Sequence, residues 1–313
     1  MRGLDVVAVG NVNFDISVKL DKPPKADEKV VARDYFMCLG GAATNFSIAC
    51  ARLGLSCGLL ARVGCDSMGD MAIERLRREG VDVSHVKACP GAPTGLALIL
   101  WLGGPRGIVC CRGANALLSP SDLDEKFISQ ADFILGASIS SKVARALAKL
   151  CSRLEKPFIL DPGGVLAFHE PPRRPEDVLE GVFIFTPNEV ELFRLTGLRR
   201  LDKAAELAWS WGPELVVVKA GPEGCFIFDG SSLEHVAALR PRRPVDPTGA
   251  GDAFNAGLVL GLLRGLRPLD AARLGVAVAT LKLERRGASN MPSLADLRGL
   301  LARVGWHDLL DKI

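Results

Sequence analysis

The chain has 313 residues, 48% hydrophobic and 24% charged, with 39 Lys+Arg against 36 Asp+Glu. That apolar content belongs to a folded protein and excludes a disordered chain, and a net charge of +3 with dispersed basic residues argues against a surface that coats nucleic acid. At roughly 100–200 residues per domain, the length admits one large domain or two ordinary ones.

No uncharged apolar run reaches the about 18–20 residues of a membrane span. The best candidate, residues 253–263, runs into Arg264, and Asp5 interrupts the first apolar run, so the start does not read as a signal peptide. The nine cysteines are odd in number and show neither C-x-x-C nor a Cys/His cluster at zinc spacing. The expectation is a cytoplasmic protein with reduced, mostly buried thiols, no membrane partner and no nucleic-acid partner.

In chain order, short β-branched runs alternate with helical patterns. Residues 4–9 read as a strand, and 43–53 as a helix stopped by Gly54. Residues 57–63 read as a strand. Residues 68–79 read as an amphipathic helix ending at Gly80, with Asp66 placed to cap it rather than to do chemistry. Short apolar strands follow at 133–135, 158–160 and 182–185, with a helix over 141–154, and two more strands at 214–218 and 225–228. From Gly249 onward the pattern is nearly all helical. Such alternation predicts an α/β fold: a three-layer α/β/α sandwich with a mostly parallel central sheet. Residues 15–38 and 95–111 break the pattern with short strands joined by turns. They predict a small antiparallel β lid inserted into one large domain spanning 1–313.

Ligands of open α/β sheets bind beyond the carboxyl ends of the strands. Polar residues stand at four such ends: Asn11, Asn13 and Asp15; Asp161; Thr186 and Asn188; and Lys219. The densest signal is Asp246-Pro247-Thr248-Gly249-Ala250-Gly251-Asp252, just before a helix that is apolar all round and therefore buried. Thr248 is the expected N-cap. Gly249, Ala250 and Gly251 then put first-turn N–H groups at the positive end of the helix dipole, where an anion binds. Asp252 beside them is placed to take a proton from a substrate hydroxyl during phosphoryl transfer. A first-turn aspartate favoured by the dipole alone is the plain alternative.

This stretch resembles the second signature of the ribokinase (PfkB) family of carbohydrate and nucleoside kinases, with Pro247 disturbing the usual D-T spacing. Gly40-Gly41-Ala42-Ala43-Thr44-Asn45, followed by Leu53-Gly54 and Gly64-Cys65-Asp66-Ser67-Met68-Gly69, resembles the first signature. Asn188-Glu189-Val190-Glu191 is similar to the N-x-x-E motif, and Lys219-Ala220-Gly221-Pro222-Glu223-Gly224 to the nucleotide-side strand and turn. The four occur in family order and cover most of the chain.

The resemblance implies an ATP-dependent kinase that uses Mg²⁺ and phosphorylates an alcohol of a sugar, sugar-like polyol or nucleoside. Asp252 would be the general base, with the backbone of Gly249, Ala250 and Gly251 as anion hole. Asn13, Asp15, Gly40, Gly41 and Asn45 would bind the acceptor; for Asp15 a turn role stays open. Asn188, Lys219, Gly221, Gly224 and Thr248 would border the nucleotide, with helix capping an alternative for Asn188. Glu191 would reach Mg²⁺ through water. Asp246 and Gly287 resemble positions near a monovalent-cation site, a K⁺ site of the kind built from backbone carbonyls. A homodimer through the lid is also implied. Two departures stand against a simple ribose or ketodeoxygluconate assignment: Ala42 where ribokinases proper carry Lys, and Gly163-Gly164 after Asp161-Pro162 where relatives acting on acidic sugars carry Arg. Of the lid arginines Arg33, Arg106 and Arg112, Arg112 is the candidate substrate ligand. It would suit a sugar-phosphate acceptor (a phosphofructokinase-B-like kinase), and a solvated lid arginine is the alternative. A non-catalytic sugar- or nucleotide-binding protein is a further reading. A nicotinamide dehydrogenase is disfavoured, because no G-x-G-x-x-G follows the first strand. The histidines His85, His169, His235 and His307 match no motif and read as structural or solvated.

Overall fold

The first apolar run forms β1 (Leu4–Asn11), with Val6 and Ala8 packed on one face and Val7 and Val9 on the other. A strand apolar on both faces belongs at the centre of a covered parallel sheet. The computed structural model describes residues 3–103 and 106–313. After β1 come β2 (Asn13–Leu20), β3 (Asp34–Gly40), α1 (Ala42–Arg52), β4 (Cys57–Gly64), α2 (Ser67–Arg78), β5 (Asp82–Cys89), β6 (Gly95–Leu102) and β7 (Arg106–Cys111). The middle of the chain forms α3 (Glu125–Ile128), β8 (Ala131–Ala137), α4 (Ser141–Arg153), β9 (Phe158–Asp161), α5 (Glu176–Leu179), β10 (Ile184–Phe185), α6 (Glu189–Thr196) and α7 (Leu201–Trp209). Then follow β11 (Leu215–Lys219), β12 (Cys225–Phe228), β13 (Leu233–Val236), α8 (Ala250–Leu263), α9 (Pro268–Leu283), α10 (Leu294–Val304) and α11 (His307–Leu310).

Nine strands make the central sheet in the order β13-β12-β11-β10-β9-β8-β1-β4-β5. Every pair from β5 to β11 is parallel, and β12 and β13 add an antiparallel edge. One apolar cluster carries α1, α8, α9 and α10 on one face, and a second carries α4, α6 and α7 on the other. The three-layer α/β/α expectation holds. The sequence reading does not single out β5, β13 or α7 as elements. β5 and β13 are edge strands with largely open faces, so they lack a strong apolar signal.

The chain leaves β1 for β4 on one side and later returns to β8 on the other. β1 is therefore a switch point, with a crevice beyond its carboxyl end. β2, β3, β6 and β7 form the lid, in the order β3-β2-β6-β7. Each insertion is antiparallel within itself, and the two are joined by a parallel β2–β6 pair. The 95–111 insertion includes residues 104 and 105, which lie outside the described residues. All nine cysteines are free; five are buried, while Cys65, Cys110 and Cys111 are exposed.

Candidate active site

The loop before α8 departs from the expected cap. Gly249, not Thr248, is the N-cap, at φ 83°. A side chain is strained at that angle, and a Cβ there would stand 2.3 Å from the Ala288 carbonyl. Thr248 cannot cap because its N–H donates to Asp246 Oδ1 (2.9 Å) and its hydroxyl accepts from Arg106 Nη1 (2.5 Å). Of the three backbone groups expected to hold an anion, the Ala250 N–H donates to the Pro247 carbonyl at 3.2 Å. That leaves the Gly249 and Gly251 N–H groups as the candidates for the expected anion hole. Asp246 braces the loop from below, its second carboxylate oxygen accepting from the Gly287 N–H at 2.9 Å. Burial works to raise the Asp246 carboxyl, but the Thr248 and Gly287 bonds outweigh it and hold the group below its ordinary value.

Asp252 sits at the third position of α8, where Asn45 Nδ2 donates to its Oδ2 at 2.8 Å. Burial and the nearby Asp161 push its carboxyl up to about 6. Lys219 and Asn255 hold Asp161, with Nζ at 2.5 Å and Nδ2 at 2.7 Å from the same oxygen. Burial would lower the Lys219 ammonium, but Asp161 and Glu191 raise it and keep it charged. Its Nζ lies 3.6 Å from where a Gly251 Cβ would stand, which puts a positive charge beside the anion-binding turn.

On the lid side, Asp15 is 5% exposed and its carboxyl is raised to about 7 by burial and by the fields of Asp252 and Asp246. A Cβ on Gly40 would fall 2.2 Å from the Asp15 carboxylate, so only glycine lets that carboxylate lie against the strand. Gly41 is the N-cap of α1 and brings Asn45 toward the crevice. Asn115, which the sequence reading did not single out, donates to Asn13 Oδ1 at 2.8 Å and exchanges bonds with Val12. Asn11, Asn13, Asn115, Ser138, Arg112 and His169 line a cavity of ≈ 230 Å³. Motif matching had set His169 aside; its place at the pocket comes from the turn after β9. Arg112 also lines the cavity, but its guanidinium pairs with Glu170. Arg33 is exposed and pairs with Asp21, and Arg106 reaches Thr248 and lies 3.9 Å from Asp246.

Where the resemblance places the nucleotide, Asn188 and Glu191 form a reciprocal capping box at the start of α6. The helix-cap reading of Asn188 is thus met. Glu191 is buried, and its carboxyl is raised to about 7 by burial and by Asp161, against the pull of Lys219. Gly221 and Gly224 form the turn between β11 and β12. No cluster of three metal-binding side chains exists among the described residues. The resemblance places Mg²⁺ chiefly on phosphates and water, with Glu191 as an outer partner. The described side chains do not fit a metal held by a protein cage. Asp246 and Gly287 do meet, but the Asp246 carbonyl accepts from the Lys282 ammonium. The sequence carried little sign of Asp161, Asn115, Asn255 or Lys282. Asp161 was visible as a polar strand end; the other three belong to no motif.

The profile of the pfkB family of carbohydrate kinases matches residues 4–295, and the chain belongs to that family. It is similar to a ribokinase of Arabidopsis thaliana, 30% identical over 309 residues that cover 95% of this chain and 80% of that protein. It is also similar to a 2-dehydro-3-deoxygluconokinase of Thermoproteus tenax, 32% identical over 279 residues, 84% of this chain and 85% of the relative. Among solved structures, the ribokinase of Thermotoga maritima superposes with a TM-score of 0.86 at 28% identity, covering 96% and 99% of the two chains. The Arabidopsis thaliana ribokinase in complex with ribose and ATP does so at 0.85 and 28%, with the same coverage. The protein is an ATP-dependent phosphotransferase of the pfkB family. No described helix is long and apolar enough to cross a membrane.

Proposed function

We propose that this kinase transfers the γ-phosphate of ATP to a hydroxyl of a small neutral sugar or sugar-like polyol, with Asp252 as general base. The observation that carries the base is its setting: a partly buried carboxylate in the first turn of α8, held by Asn45 and beside the Gly249 and Gly251 N–H groups. Asp252 takes the proton of the acceptor hydroxyl as that oxygen bonds to the γ-phosphorus. The bond to the β,γ-bridging oxygen breaks, and ADP leaves with its electron pair. The two N–H groups and Lys219 stabilise the charge on the transferring group. Bound Mg²⁺ would neutralise charge on the phosphates, with Glu191 orienting its waters. Asn45 Oδ1 is buried without a partner among the described residues, and so offers an acceptor to a substrate hydroxyl.

The preference for a neutral acceptor rests on the lid arginines. Arg33, Arg106 and Arg112 are each engaged by a carboxylate. Asp15 and the three asparagines at the cavity offer hydroxyl partners instead. Coupled ADP-release assays on neutral sugars, polyols, nucleosides and sugar phosphates test this. Faster turnover of a sugar phosphate or nucleoside would overturn the acceptor class. Asp252→Asn should lower kcat by at least ~10²-fold with the fold intact; near-normal turnover would remove Asp252 from the role of base.

A further inference from the structure

One buried charge lies outside the groups that bind phosphate or acceptor. Lys282, in the last turn of α9, is 0% exposed. Its ammonium donates to two backbone carbonyls, those of Arg285 at 3.0 Å and Asp246 at 3.4 Å. The Asp246 carboxylate turns elsewhere, onto the Thr248 and Gly287 N–H groups. A buried ammonium that rests on carbonyls rather than on a carboxylate is costly. Burial accordingly lowers it to about 8, opposed by the fields of Asp246, Cys38 and Asp252. What offsets the cost is local: the negative end of the α9 dipole and the two carbonyls themselves.

Those carbonyls belong to the segments that shape the anion-binding turn. Asp246 begins the loop that ends at Gly249, and Gly249 packs on the Ala288 carbonyl of the segment that follows α9. A carbonyl-lined place beside Asp246 is where the sequence implied a monovalent cation. An ammonium and a potassium ion are close in size and both favour oxygen acceptors, so the two compete for the same carbonyl. A K⁺ site on the Asp246 carbonyl does not fit this chain, because a side chain already holds it.

We propose that Lys282 is a positioning residue that replaces a monovalent cation: its ammonium ties the 246 and 285 segments together under the anion-binding turn, so that this kinase does not depend on added K⁺. The inference rests on residues 249–252 being the phosphate-binding turn.

Melting of the purified full chain in KCl, NaCl or tetramethylammonium chloride of equal ionic strength tests it without any acceptor. The wild type should melt within about 1 °C in all three salts, since a site without a free ligand position gains no binding stabilisation. Lys282→Ala, which opens the carbonyls, should gain about 3 °C or more in KCl over tetramethylammonium chloride. A several-degree gain by the wild type in KCl overturns the proposal, and so does a Lys282→Ala variant that melts alike in all three salts. Should that variant not fold, the wild-type comparison decides alone. With an acceptor from the panel, Lys282→Met should lower kcat about tenfold or more while the KM for ATP changes less than about threefold; a merely structural lysine would lower the melting temperature and leave kcat of the folded enzyme intact. Failure to find an acceptor would bear on the acceptor class, whereas the salt dependence of melting bears on Lys282.

Discussion

Three carboxyls of the crevice are raised by burial: Asp252 to about 6, Asp15 and Glu191 to about 7. For catalysis the sign is simple. A base must be deprotonated, so kcat/KM of the enzyme should rise with pH through about 6 and fall about tenfold per unit below it. A pH–rate profile checks this, and Asp252→Asn should abolish that limb. For stability the sign runs the other way from a usual aspartate. The folded carboxyls bind protons that the unfolded chain has already released, so their contribution is full below the ordinary carboxylate range and is lost as pH rises through 6 to 7. The ligand-free protein should therefore lose stability as pH rises from about 4 to about 7, and Asp15→Asn should flatten that loss. Melts of both proteins across this range measure it; an equal slope in the variant would exclude Asp15 as a source. None of the three shifts was readable from the sequence. They arise because Asp15, Asp161, Glu191 and the 246–252 turn, from separate parts of the chain, act on one another across one crevice.

At the scale of elements, the clearest predictions concern helix starts. Asp66 caps α2, accepting from the Gly69 N–H at 2.8 Å, as the sequence reading expected. The same carboxylate also takes the Thr94 N–H at 2.7 Å and the Thr94 hydroxyl at 2.6 Å, just before lid strand β6. The Thr94 bonds hold its carboxyl below the ordinary value. Asp66→Ala should cost about 1–2 kcal/mol, the upper range for a lost cap. A denaturant titration reads this, and an unchanged midpoint would show that water replaces the bonds. Gly249→Ala should cost kcat as well as stability, because the side chain must move the Ala288 carbonyl or rotate the N-cap out of its left-handed angle. Helix α8 was legible because its run of apolar and small residues is broken only by Asp252 and Asn255. Its start was misplaced by one residue: Thr248 has the right chemistry for a cap, but its N–H and hydroxyl are taken by Asp246 and Arg106. The second of those partners comes from the lid, 142 residues away.

At the scale of the whole molecule, the lid carries an open apolar set on its two edge strands: Tyr35 and Met37 on β3, Ile108 and Val109 on β7, each about half exposed or more. Sheet edges of this kind invite pairing with a second copy. A homodimer through the lid is the expected outcome by size-exclusion chromatography with light scattering, and Met37→Glu with Ile108→Glu should convert it to a monomer. A monomeric wild type would end that expectation. The sequence by itself determined the alternating α/β pattern, the two insertions and the order of the four motifs, because strand and helix periodicities and glycine-rich turns are local properties. It also marked Asp252 and its small neighbours as the candidate phosphate turn. Tertiary structure alone decided which lid arginine meets which carboxylate, that Asp161 and Lys219 pair beside Gly251, and that Lys282 occupies the Asp246 carbonyl. These are contacts between residues tens to hundreds of positions apart, and no local spacing encodes which buried charge finds which partner.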